Sequence, residues 1–153
     1  MSAQPLRRRG RADSGPVAVG AAYAPTVSGA ATGANVLIDA SINASDTVSA
    51  SKTINSLTLK GNVTLTINAG VTLTVTSGAL LVTGATASVT STGGGTLALG
   101  EAIIHTTAGS TVTITATVTS SNLTLAGAGT VKLPTVNSMT GITTLAGATL
   151  ELG

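Results

Sequence analysis

Val63-Thr64-Leu65-Thr66-Ile67-Asn68-Ala69-Gly70-Val71-Thr72-Leu73-Thr74-Val75 holds two runs of strict apolar/hydroxyl alternation, separated by three corner residues. A period of two sends successive side chains to opposite faces, so each run reads as a half-buried β-strand. Thr, Val and Ile all pack well on a pleated surface. Val63 and Val71 are eight positions apart, as are Gly70 and Gly78. Thr111-Val112-Thr113-Ile114-Thr115 repeats the pattern further along, and Gly93-Gly94-Gly95 and Ala126-Gly127-Ala128-Gly129 supply further corners. A fixed short period predicts stacked coils, each burying its face against its neighbours. Hairpins would carry Asn-Gly or Asp-Gly turns, and the chain contains neither dipeptide. The expected fold is therefore an all-β parallel solenoid, with an antiparallel β-sandwich as the alternative.

Composition supports the same architecture. Of 153 residues, 42% are hydrophobic but only 1% aromatic, with one Tyr and no Phe, Trp or Cys. A core of short aliphatic side chains implies a thin interior, because the large rings that fill a globule are missing. Charge is also scarce, at 8%. Disordered chains combine high charge with few apolar residues, the opposite of what is found here. The longest aliphatic run in the body, Ala79-Leu80-Leu81-Val82, falls far short of the roughly 20 residues that cross a bilayer, so no membrane span is expected.

Residues 1–34 differ from the rest. They hold four of the seven basic residues and three of the four prolines, and read as an extended Gly/Pro-rich arm. The solenoid is expected over 35–153. Arg7, Arg8, Arg9 and Arg11 are the strongest electrostatic feature, and no apolar segment of signal-peptide length follows them. Synthesis and assembly in the cytoplasm are thus expected. The four arginines lack interleaved aromatics, which argues against a nucleic-acid site. Docking into an acidic groove of a partner subunit suits the guanidinium fork better.

Toward the C-terminus the pattern becomes familiar. Gly127-Ala128-Gly129-Thr130-Val131-Lys132-Leu133, Asn137-Ser138-Met139-Thr140-Gly141-Ile142-Thr143-Thr144-Leu145 and Gly147-Ala148-Thr149-Leu150-Glu151-Leu152 together resemble the autotransporter-associated β-strand repeat. Gly93-Gly94-Gly95-Thr96-Leu97-Ala98-Leu99 looks like a partial second copy. The resemblance implies a right-handed β-helix of the kind found in secreted passengers, giant surface proteins and phage appendages.

Groups capable of chemistry are few. The body contains Asp39, Asp46, Glu101, Glu151 and His105. Paired carboxylates would serve acid–base work, but Asp39 and Asp46 are seven apart on a strand-turn-strand path that specifies no shared site. One His beside Glu101 is too small a ligand set for a metal. No catalytic residue, cofactor or metal is expected. From Gly61 to Gly153 only Glu101, Lys132 and Glu151 are charged, so solenoid ends and edges have little protection against pairing. That favours a homo-oligomer, a trimer being one form. The expectation is a non-enzymatic structural protein: a phage head decoration, fibre or tail appendage anchored by its arm. The alternative is a fragment of a β-helical adhesin, secreted or on the bacterial surface, like an autotransporter passenger. A more distant one is an ice-binding solenoid, which requires regularly stacked Thr pairs.

Overall fold

The computed structural model describes residues 22–153; among these no helix forms. The chain winds into about six coils of a parallel β-helix. The first coil contains β1 (Asn35–Asp39), β2 (Ser45–Val48) and β3 (Lys52–Ile54), and the second β4 (Ser56–Lys60), β5 (Thr64–Ile67) and β6 (Thr72–Val75). The third contains β7 (Ala79–Thr83), β8 (Thr86–Ser91) and the first half of β9 (Thr96–Thr106). The second half of β9, β10 (Thr111–Ile114) and the first half of β11 (Thr117–Gly127) make the fourth. The second half of β11, β12 (Thr130–Leu133) and β13 (Ser138–Met139) make the fifth; β14 (Thr143–Ala146) and β15 (Thr149–Leu152) begin a sixth.

Every strand-to-strand register is parallel, and each strand lies on the strand three sides later in the chain. Three flat faces result. Face 1 stacks β1, β4, β7, β9, β11 and β14; face 2 stacks β2, β5, β8, β10, β12 and β15; face 3 stacks β3, β6, β9, β11 and β13. The eight-residue spacing of Val63 and Val71 is one side of this triangle. A full coil is longer: the Ser56 hydroxyl meets the Asn35 side chain 21 positions away, and Thr66 meets Thr90 24 away. In β9 and β11 a single strand turns from face 3 to face 1 through a register shift around Gly100 and Ser120–Asn122.

The alternation of the sequence becomes columns inside the helix. On face 1, Val36, Leu57, Leu80, Ile104, Leu125 and Leu145 stand one above another. On face 3, Leu73, Leu97 and Val118 do the same. Apart from Leu145, these side chains are completely buried or nearly so. Both columns are aliphatic throughout, made of Val, Leu and Ile alone. A second face-1 column runs Ile38, Leu59, Val82, Thr106. Thr106 is fully buried and its hydroxyl has no hydrogen-bond partner. An unpaired buried hydroxyl is destabilising, whereas a Val of the same shape carries no such penalty. Thr106→Val should therefore stabilise the protein by about 1 kcal/mol, read as a higher urea midpoint with an unchanged slope.

Residues 22–34, read from sequence as the inner part of an extended arm, are folded onto the first coil. Ala24 forms a parallel bridge with Val36, and its N–H donates to the Asn35 carbonyl at 2.8 Å. Val27 is fully buried and Ala30 nearly so, placing two small apolar side chains over the end of the core. Pro25 and Gly29 bend the segment across that end without interrupting it. Arg7, Arg8, Arg9 and Arg11 lie outside the described residues, as does the remainder of the arm.

The two glycine-rich openings of the repeat pattern lie at different corners. Gly127 to Gly129 lead into β12 on face 2, whereas Gly93 to Gly95 lead into β9 on face 3. The second copy thus shares residue types with the first but not its place in the coil.

Candidate functional site

The charged groups of the body sort by the face they occupy. Asp39 ends β1 and points outward at the corner after face 1. Its carboxylate accepts hydrogen bonds from Lys60 Nζ at 2.8 Å and from the N–H and hydroxyl of Ser41 at 3.0 and 2.7 Å. Lys60 comes from the next coil, at the register position directly beside Asp39. The Lys60 side-chain hydrogen bond, followed by those from Ser41, lowers the Asp39 pKa from 3.8 to about 2.

A depressed carboxylate favours the folded state at pH values above its unfolded value. That contribution fades as pH falls through the folded value. Asp39 therefore contributes stability fully above about pH 4, with loss between there and about pH 2. Asp39→Asn should flatten the pH dependence of the urea midpoint in that window and leave its shape above pH 5 unchanged.

Asp46 behaves differently. In β2 the alternation places it inward, in the phase occupied by Leu65, Val89 and Ile114 of the coils beyond it. It is only 8% exposed. Its Oδ2 accepts the N–H groups of Val27 at 2.6 Å and Ser28 at 3.0 Å, and Oδ1 accepts that of Thr47 at 2.9 Å. Lys52 Nζ adds a bond to the Ala30 carbonyl at 2.8 Å. The carboxylate and the ammonium thus fasten residues 22–34 to the first coil. Asp39 and Asp46 are not brought together: one points out from face 1, the other into the core from face 2, and each is engaged in structural hydrogen bonds.

Glu151 pairs with Lys132 across β12 and β15 at 2.7 Å. Glu101 and His105 are both exposed on the outward side of β9. Four residues along a strand separate them by about 13 Å, too far for a shared ligand or proton. Among the described residues no group of three His, Asp or Glu converges on one point, and no ligand-sized concavity opens.

Face 2 carries the hydroxyls in register. Thr64, Ser88 and Thr113 form one outward column, and Thr66 lies beside Thr90 in the next. The hydroxyls bond along the columns, Ser88 to Thr64 at 3.2 Å and Thr66 with Thr90 at 3.1 Å. Face 3 has its own hydroxyl column of Thr72, Thr96 and Thr117, whereas the outward column of face 1 runs Leu37, Thr58, Leu81 and His105.

Several apolar side chains are exposed in the last two coils, as are Ile42 and Ile103 earlier in the chain. Leu145 is 55% exposed although Leu125, its neighbour in the same column, is fully buried. Leu152 is 71% exposed beside Leu133 at 1%. Ile142 and Val136 also face solvent. Residues 22–34 cover the first coil, whereas within residues 22–153 no coil is stacked on Leu145 and Leu152 of the sixth. Sequence reading assigned no role to Asp46, although a signal existed: a charge standing in the apolar phase of Ser45-Asp46-Thr47-Val48. Set against known families, curated proteins and solved structures, the chain matches no family model, no curated protein and no solved structure.

Proposed function

We propose that the chain is a non-enzymatic structural protein that works as one subunit of a larger assembly. The observation that carries this reading is the wall of registered coils, in which Asp39, Asp46 and Glu151 are all engaged in structural bonds. From Gly61 to Gly153 that wall holds only Glu101, Lys132 and Glu151 as charged residues. So little charge leaves strand edges and faces suited to contact with other subunits by apolar packing and strand addition.

In the fuller form of the proposal the assembly is a tailed-phage particle, built in the host cytoplasm. Arg7, Arg8, Arg9 and Arg11 anchor the subunit to an acidic partner surface, and the β-helix reinforces or projects. The likeness of residues 127–152 to a repeat found in phage appendages supports this form. The test has two parts. Light scattering of the full chain should give a defined homo-oligomer, and a monodisperse single copy at every concentration overturns the assembly reading. Antibody labelling of the source culture should decorate phage particles; labelling confined to the bacterial surface would replace that reading with the adhesin.

A second reading, ordering of an ice surface, rests on the hydroxyl columns of face 2, although the column of Thr64, Ser88 and Thr113 passes into the charged pair Lys132 and Glu151. Their hydroxyls bond to one another across coils, so wall stability explains them. Freezing-point measurements should accordingly show no thermal hysteresis; a measurable gap would assign that function to face 2.

A further inference from the structure

The edges of the first and sixth coils bear on how copies meet. Within residues 22–153 the far edge of the sixth coil presents the same columns that every internal coil presents to its successor: Leu145 on face 1 and Leu152 on face 2. The surface complementary to it in strand direction and register is the outer edge of a first coil. There β1 offers Val36 and Ile38 and β2 offers Val48, all buried in this structure. A second copy could therefore continue the helix coil upon coil. Such a contact is heterologous and does not close, so it would generate fibres.

Two features of the first coil oppose that outcome. Residues 22–34 occupy the edge, with Ala24 bridging Val36 and Val27 and Ala30 filling the end of the core. Beneath them Asp46 begins a column that continues with Leu65, Val89 and Ile114 and, one step further in the β10–β12 register, with Leu133 and Leu152. Were the segment displaced and a second copy stacked on, Leu152 of that copy would seal the Asp46 carboxylate without the Val27 and Ser28 N–H groups that now satisfy it. Burying a charge stripped of its partners is costly. An inward-pointing charge at an edge is also a recognised defence against strand addition.

We propose that residues 22–34 and Asp46 form an end-stop which excludes the sixth coil of a second copy, so that head-to-tail fibre growth is blocked at this end. Asp46 acts twice, as the latch that holds the covering segment and as a charge that penalises its replacement. The proposal goes beyond the assembly reading above, because it concerns which contact between copies is forbidden.

The experiment compares four forms by light scattering and negative-stain imaging across a concentration series: the full chain, the full chain with Asp46→Val, a chain lacking residues 1–34, and that truncated chain with Asp46→Val. The full chain is expected to hold one mass. The truncated Asp46→Val chain is expected to grow into filaments, and full-length Asp46→Val to gain mass with concentration as its latch is lost. Retaining Asp46 in the truncated chain should raise the concentration needed for growth by about a hundredfold or more. Adding Leu145→Lys and Leu152→Lys should abolish growth in both Asp46→Val forms.

The proposal is overturned if both Asp46→Val forms keep the β-sheet circular dichroism of the full chain and its mass. Growth that survives the two lysines overturns it too, since the contact would then not involve the sixth coil. If truncation unfolds the chain, full-length Asp46→Val decides the matter alone. A full chain that is a single copy, beside variants that form filaments, would remove the homo-oligomer reading and leave the end-stop standing.

Discussion

Gly78→Ala is expected to be the most damaging single-methyl addition in the protein, lowering stability by more than about 4 kcal/mol. Two costs combine. Gly78 has φ +68°, a left-handed conformation that costs an L-residue roughly 1–2 kcal/mol. In addition a Cβ there would overlap the Glu101 carbonyl oxygen and lie 2.7 Å from that of Leu99. Both obstacles are backbone of the next coil, at the turn of β9 from face 3 to face 1, and neither can rotate away. Relief would require separating two coils along a shared hydrogen-bond ladder, where the Ile103 N–H donates to the Gly78 carbonyl at 2.9 Å. Gly70→Ala provides the control. Its φ is +69° and a Cβ there meets nothing within 4 Å, so only the conformational cost of about 1–2 kcal/mol applies. Urea unfolding of the two variants measures the difference; equal losses would mean the coils can part at Gly78 at little cost.

Position along a column should matter as much as residue type. Ile104 and Leu145 stand in the same face-1 column, separated by Leu125. Ile104 is fully buried between coils, and Ile104→Ala should cost about 2–5 kcal/mol, the lost transfer energy plus the cavity left between rigid strands. Leu145 is 55% exposed, and at concentrations low enough to separate any subunits Leu145→Ala should cost less than about 1 kcal/mol, because little apolar area returns to water. In a stack where each coil contacts only its neighbours, stability is close to a sum of local terms. Measured in dilute solution by urea midpoint, the contrast should be plain. Should the Leu145 variant lose as much as the Ile104 variant, the sixth coil would be covered in solution, and its dependence on protein concentration would identify another copy as the cover.

Alternation from Val63 to Val75 was enough to establish strands, their inward residues and their corners, because a half-buried strand must send every second side chain to the core. Aliphatic composition without rings also anticipated a core of Ala, Val, Leu and Ile, and the absence of hairpin turns anticipated parallel coils. Three features depended on contacts that local sequence does not encode. The eight-residue period marks one side of a triangle, and only the pairing of β4 with β1 and of β7 with β4 shows that three sides close a coil. Residues 22–34 resemble a linker in composition, yet Val27 and Ala30 find apolar cover at the solenoid end, and their backbone finds acceptors in Asp46 and Asn35. Asp46 itself reads as a turn residue until the register places it above Leu65. Local pattern determines which way a side chain points within its own strand; whether that direction leads to solvent, to the core or to the end of the stack is decided by residues about 20 positions away.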